Sequence, residues 1–149
     1  MFNSECSIWC VQLLVNFANN ASDIVYGSFE IPHTYKEGTD LEVHIHWSPS
    51  STNTGLCTFY FKYSLASMGG IFGAETALTM SQTGSGVSNK HQYISGNNLI
   101  TGSGIGIGTM VVFSLERPTG DAFTGDAFLH SVGVHYEIDT MGSRQRAIK

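Results

Sequence analysis

The run Cys57-Thr58-Phe59-Tyr60-Phe61-Lys62-Tyr63-Ser64-Leu65 alternates strictly. Cys57, Phe59, Phe61, Tyr63 and Leu65 fall on one side, and Thr58, Tyr60, Lys62 and Ser64 on the other. Successive side chains of a β-strand point to opposite faces of its sheet. A period of two therefore marks a strand with one face in a core. The same period recurs outward in both directions. Leu41, Val43, Ile45 and Trp47 alternate with Glu42, His44 and His46. Ile107, Thr109, Val111, Phe113 and Leu115 make a third stripe, and Phe128, Val132, Val134, Tyr136 and Ile138 a fourth. Weaker stripes run through Val25, Phe29 and Ile31 and through Thr76, Leu78 and Met80. Trp9, Val11, Leu13, Val15 and Phe17 also alternate, although the Leu13-Leu14 pair would suit a helix too.

Turn-forming residues separate these runs: Asn19-Asn20, Lys36-Glu37-Gly38, Pro49 to Gly55, Gly69-Gly70, Gly84 to Gly86, Gly96-Asn97 and Pro118 to Gly125. Seven or eight short strands with turns between them predict an all-β chain with little helix. The expected fold is an antiparallel β-sandwich, jelly-roll-like. With 149 residues, 42% of them hydrophobic, the chain suits one domain with one core. We expect a single sandwich over 1–149, with an N-terminal arm over about 1–22 and a short basic tail over about 142–149.

Charge and cysteine content exclude several classes. The net charge is −5, and the few basic residues are scattered except for Arg144, Arg146 and Lys149 at the end, so nucleic acid is not an expected partner. Three cysteines, Cys6, Cys10 and Cys57, do not make a disulfide framework and are expected as free thiols of a reducing cytoplasm. The apolar run Ile8–Val15 lacks the flanks of a secretory signal and is too short to span a bilayer, so no membrane partner is expected. Gly102, Gly104, Gly106 and Gly108 lack both the spacing and the following Lys-Ser/Thr of a phosphate loop. A close approach of another backbone is the better reading.

The sharpest chemical feature is His44-x-His46. On a strand both imidazoles face one side, about 7 Å apart. His135, with Glu137 near it on another strand, completes a conceivable metal set. A cupin-type site also needs an acid shortly after the pair, and Trp47-Ser48-Pro49-Ser50 supplies none. His44, His46 and His135 are thus weak metal candidates. An ion on a threefold axis and a hydrogen-bonded strand face or interface are the other readings, the last preferred. No nucleophile elbow, local cysteine–histidine signature or EF-hand spacing is present, and neither a catalytic residue nor a cofactor is expected. Tyr35, Trp47, Tyr60 and Tyr93 are a conceivable sugar-stacking platform, but Trp47 alternates with the core set.

Two segments resemble a known family. Ile31-Pro32-His33-Thr34-Tyr35-Lys36-Glu37-Gly38-Thr39-Asp40, running into His44-Ile45-His46-Trp47, is similar to a segment of uncharacterised tailed-bacteriophage virion structural proteins. So is Asp126-Ala127-Phe128-Leu129 leading to His135-Tyr136-Glu137-Ile138-Asp139-Thr140 and Gly142-Ser143-Arg144-Gln145. The resemblance implies a non-enzymatic β-sandwich brick of a virion assembled in the bacterial cytoplasm. The favoured place is a capsid decoration or cement protein, homo-oligomeric and trimeric, bound to the major capsid protein. The alternative is a neck, tail or fibre component, with a carbohydrate-binding face for the host. Trp9, Val11, Leu13, Val15 and Phe17 carry more apolar surface than an exposed arm tolerates and are expected to be covered, either as an added strand of their own sandwich or, the preferred reading, by exchange with a neighbour; Arg144, Arg146 and Lys149 are expected to dock on an acidic neighbour.

If the stripes line one core, Phe61→Ala or Phe113→Ala costs about 3–5 kcal/mol in denaturant melts, because each deletes a buried ring and leaves a cavity. A loss under about 1 kcal/mol would mean that the faces are misassigned.

Overall fold

The computed structural model of the chain describes residues 5–95, 98–139 and 141, with side chains from Leu14 onward. These residues form nine strands and no helix: β1 (Glu5–Phe17), β2 (Ile24–Glu30), β3 (Leu41–Pro49), β4 (Leu56–Ala66), β5 (Thr76–Thr83), β6 (Gln92–Ile94), β7 (Leu99–Ile100), β8 (Met110–Glu116) and β9 (Ala127–Glu137). One antiparallel sheet has the order β1-β9-β3-β6, with β7 also on β3. The other has the order β2-β8-β4-β5. Counting β6 and β7 as two pieces of one edge strand gives the eight-stranded, two-sheet jelly roll.

The stripes read from sequence face inward. Cys57, Phe59, Phe61 and Tyr63 of β4 are buried, as are Leu41, Val43, Ile45 and Trp47 of β3 and Val111, Phe113 and Leu115 of β8. Phe61 stacks on Phe113 with ring centroids 4.9 Å apart, and Trp47 meets the edges of Phe59 and Phe123. The Trp47 indole N–H donates to Gln82 Oε1 across the sandwich. Trp47 and Tyr35 are fully buried, which removes both from the sugar platform. Cys57 is buried too, and desolvation pushes its thiol up to about 12, so it is inert. At Gly102 the backbone lies against the Thr39 carbonyl, where a Cβ would overlap it. This is the close approach expected of the glycine run.

Two expectations need correction. Opposite β9, the register of β3 moves from His46↔Ser131 to Trp47↔Leu129, so His130 is an extra residue in β9. A bulge of one residue reverses the alternation. Before it Ala127 and Leu129 are buried, and after it Val132, Val134 and Tyr136. Phe128 therefore does not belong to the core stripe. The second is the preferred exchange of the N-terminal segment with a neighbour. Over Glu5–Phe17 that segment pairs with β9, from Glu5↔Glu137 to Phe17↔Ala127. The physical reason is that β9 needs a second neighbour. Without β1 its outer N–H and C=O groups would form a bare edge.

Between the sheets sits a buried charge that no stripe announced. The Arg117 side chain is fully buried and bonds Asp121 through both Nε (2.9 Å) and Nη2 (2.7 Å). Nη1 also donates to the carbonyls of Phe17 (3.0 Å) and Gly125 (2.7 Å), and Nη2 to that of Phe123 (2.6 Å). Burial pulls the Asp121 carboxyl toward protonation. Hydrogen bonds from Arg117, Thr58 N–H and Phe123 N–H outweigh it and hold the group below its usual range. Asp121 is thereby a structural ion-pair partner.

Removing one member of a buried, fully bonded pair strands the other. Arg117→Met is expected to cost about 3–5 kcal/mol in urea melts. The double variant Arg117→Met/Asp121→Asn, which leaves no buried charge behind, should recover part of that. A single-variant loss under about 1 kcal/mol would mean that the pair is dispensable.

Candidate functional site

Alternation along β3 sends Val43, Ile45 and Trp47 inward and Glu42, His44, His46 and Ser48 to the outer face of the sheet. β9 adds His130, at its bulge, and His135 to the same face. The segment leading into β6 adds His91, and β6 itself adds Tyr93. Five of the six histidines of the chain thus share one surface.

The rings form a continuous chain. His135 lies against His44 with centroids 4.4 Å apart, His44 against His46 at 5.3 Å, and His46 stacks on His91 at 5.0 Å. His46 Nδ1 and His91 Nε2 are 2.7 Å apart, a hydrogen bond in which the tautomers decide which ring donates. Tyr93 packs on both His44 and His46, and its hydroxyl is 3.1 Å from His135 Nε2. His130 Nε2 is 2.9 Å from Ser48 Oγ. Space for His44 comes from its cross-strand partner Gly133, where a Cβ would overlap the imidazole. His44 is consequently only 6% exposed, although it sits on an outward face.

Crowding controls the charge state. Burial, then the neighbouring His135 and His46, lower His44 from 6.5 to about 4, against an opposing pull from Glu42. Burial, followed by His91, His130 and His135, lowers His46 as well. Near neutral pH both rings are uncharged and keep a lone pair each. The Nδ1 atoms of His44 and His135 are buried with no hydrogen-bond partner.

The structure brings His44, His46 and His135 together, but it takes Glu137 away to Lys36, 2.9 Å off. Among the described residues, no three metal-ligating groups converge as a set. Beside the histidines lies a shallow depression of about 530 Å³ lined by Leu14, Asn16, Ser48, Asn89, Phe128 and His130. Of the expected interface residues, Phe17 is buried against Phe59 in the chain's own core and Val15 is partly buried against it, so neither offers a free surface. In the backbone register Trp9 and Val11 stand opposite Val134 and Val132, and Leu13 falls in a register shift; their side chains lie outside the described set, as do Arg144, Arg146 and Lys149. Sequence reasoning missed His91, His130 and Tyr93, since nothing local marks residues that meet only through sheet pairing. It also missed an exposed apolar tip between β4 and β5, where Ile71 is 93% exposed beside Met68 and Phe72. A signal was present there: three large apolar residues inside a Gly-rich turn.

No family model matches the chain, and no curated protein does. Among solved structures it is similar to a chain of infectious bursal disease virus, Gt strain, with TM-score 0.52, 13% identity, and coverage of 97% of this chain and 35% of that one. The Gx strain gives 0.51, 12%, 96% and 36%. A carbohydrate-binding module, CBM36 in complex with calcium and xylotriose, gives 0.44, 13%, 88% and 98%. At these identities the likeness is one of fold. The chain spans about a third of the virus chains that it matches.

The depressed His44 makes stability acid-sensitive. Its folded pKa lies below its unfolded value, so the stabilisation is complete above pH 6.5 and is lost as pH falls to about 4. The loss should reach up to about 3 kcal/mol in urea melts of chelator-treated protein. His44→Gln, which cannot titrate, should show a clearly flatter profile across that window. An unchanged slope would place the acid sensitivity elsewhere.

Proposed function

We propose that this chain is a non-enzymatic structural protein of a tailed-bacteriophage virion, a decoration or cement protein that oligomerises as a trimer on the major capsid protein. Three things support the reading: the jelly-roll fold, the resemblance of the two segments around His44–Trp47 and His135–Thr140, and the exposed apolar tip. The tip carries it. Met68, Ile71 and Phe72 project from the β4–β5 turn beside a hollow of about 350 Å³ that Glu30, Gly108 and Met110 also line. A shell protein works by burying surface on its neighbours, and a nearly fully exposed isoleucine next to a phenylalanine and a methionine is surface of that kind. The terminal Arg144, Arg146 and Lys149 would add a salt-sensitive contact to an acidic neighbour.

A second reading, a neck, tail or fibre component with a carbohydrate-binding face, is favoured by the depression on the histidine sheet. The Phe128 ring there stands among the amides of Asn16 and Asn89 and the Ser48 hydroxyl, a mixture that suits a sugar.

The number of copies per particle separates the two. Hundreds place the chain on the shell, and a dozen or so place it at the neck or tail. In the same particles, Ile71→Asp/Phe72→Asp is expected to abolish incorporation while the melting curve of the free protein stays unchanged. Normal incorporation of this variant would overturn the role given to the tip.

A further inference from the structure

We propose that His46 and His91 form a two-nitrogen seat for a borderline divalent transition ion of the Zn²⁺, Ni²⁺ or Cu²⁺ class, on the outer face of the β1-β9-β3-β6 sheet. This goes beyond the virion reading and does not depend on it.

The geometry comes first. His46 Nδ1 and His91 Nε2 face each other at 2.7 Å. Two imidazole nitrogens on one tetrahedral ion, each about 2.0–2.1 Å from it, stand about 3.3 Å apart. The pair therefore has to open by roughly 0.6 Å. His46 is held on β3 between Tyr93, His44 and His91, whereas His91 precedes β6 and is exposed. The opening is thus a small swing of one surface ring. The ring that donates the shared hydrogen bond moves its proton to its other nitrogen, and both facing nitrogens then offer lone pairs.

A second observation is independent of that pair. The same ring chain leaves His44 Nδ1 and His135 Nδ1 buried without a partner. Buried polar atoms are nearly always satisfied, so two orphaned ring nitrogens in one packed cluster point to a functional role for this face. Imidazole donors select zinc, nickel and copper over magnesium or calcium, which prefer oxygen. The remaining positions fall to water, since no third ligating side chain among the described residues converges on the seat. The site is therefore open and of moderate affinity. His44 and Tyr93 act as positioning residues by packing on His46, and His135 backs His44.

The test uses the full chain stripped with a chelator and titrated with ZnCl₂ by calorimetry, and with CuCl₂ by electron paramagnetic resonance. Expected are one ion per chain, micromolar affinity and a copper spectrum with nitrogen hyperfine splitting from two imidazoles. His91→Gln should weaken binding roughly tenfold or more without moving the melting temperature of the stripped protein, because the ring is exposed. His33→Gln, the one histidine off this face, should leave binding unchanged. If binding is undetectable at millimolar zinc, if His91→Gln binds like the parent chain, or if one ion serves three chains, the proposal is overturned.

Discussion

The buried guanidinium of Arg117 holds together the end of the sandwich on which the outer face depends. It gathers three backbone carbonyls, those of Phe17, Phe123 and Gly125, around one cation neutralised by Asp121. Those carbonyls belong to the end of β1 and to the turn that launches β9. Asp126, the next residue, accepts from Asn19 N–H and donates its own N–H to Ser50 Oγ just after β3. The start of β9 is thus fixed between its two neighbours before its first pair, Ala127, enters the ladder. A charge can occupy this place because its hydrogen bonds offset desolvation. Burial works against the protonated form of Arg117, yet Asp121 raises the group overall.

From that anchor the position of every histidine on β9 follows. The ladder runs in phase from Ala127 to Leu129, gains one residue at His130 and continues with Val132 inward and Gly133 and His135 outward. The bulge sets Gly133 opposite His44 and so opens room for the buried imidazole. A register one residue off would put Val132 or Val134 there, and the ring would have nowhere to lie. The depressed His44 is therefore a consequence of sheet register: its neighbours crowd it because the bulge put them there.

The fold was legible wherever alternation ran unbroken, as at Cys57–Leu65 and Leu41–Trp47, because period two is a local property. It failed at Phe128, where a single inserted residue changed the phase and nothing in the composition of Phe128-Leu129-His130-Ser131 announces an insertion. β1 illustrates the opposite case. Its register shift between Gln12 and Val15 falls opposite the bulge in β9, and Val15 and Phe17 still turn toward the core although neither strand is regular. Of the face itself, His44-x-His46 and His135 were visible as candidates. His91 lies 45 residues from His46 and is joined to it only through β6 pairing, which no spacing rule encodes. Arg117 was invisible for a related reason: its partners come from the turn that follows it and from Phe17, 100 residues away at the end of β1.

The way the histidine sheet treats its edges bears on how the chain meets its neighbours. On one edge the partner of β3 is divided into β6 and β7, three and two residues long, which pair at opposite ends of β3. On the other edge β1 departs twice from regular register. Short or bulged edges are poor templates for an added strand. At the β6 side the two sheets are also tied by side chains: Gln82 Nε2 donates to the Tyr93 carbonyl and Gln92 Nε2 to that of Thr83. An exchanged arm needs a long regular edge to pair with, and the described residues of this sheet offer none on either side. The N-terminal strand is already spent in closing the chain's own sheet. Contacts from this half of the molecule have to run through side chains, and those it presents are the imidazoles together with Leu14, Phe128 and Tyr93.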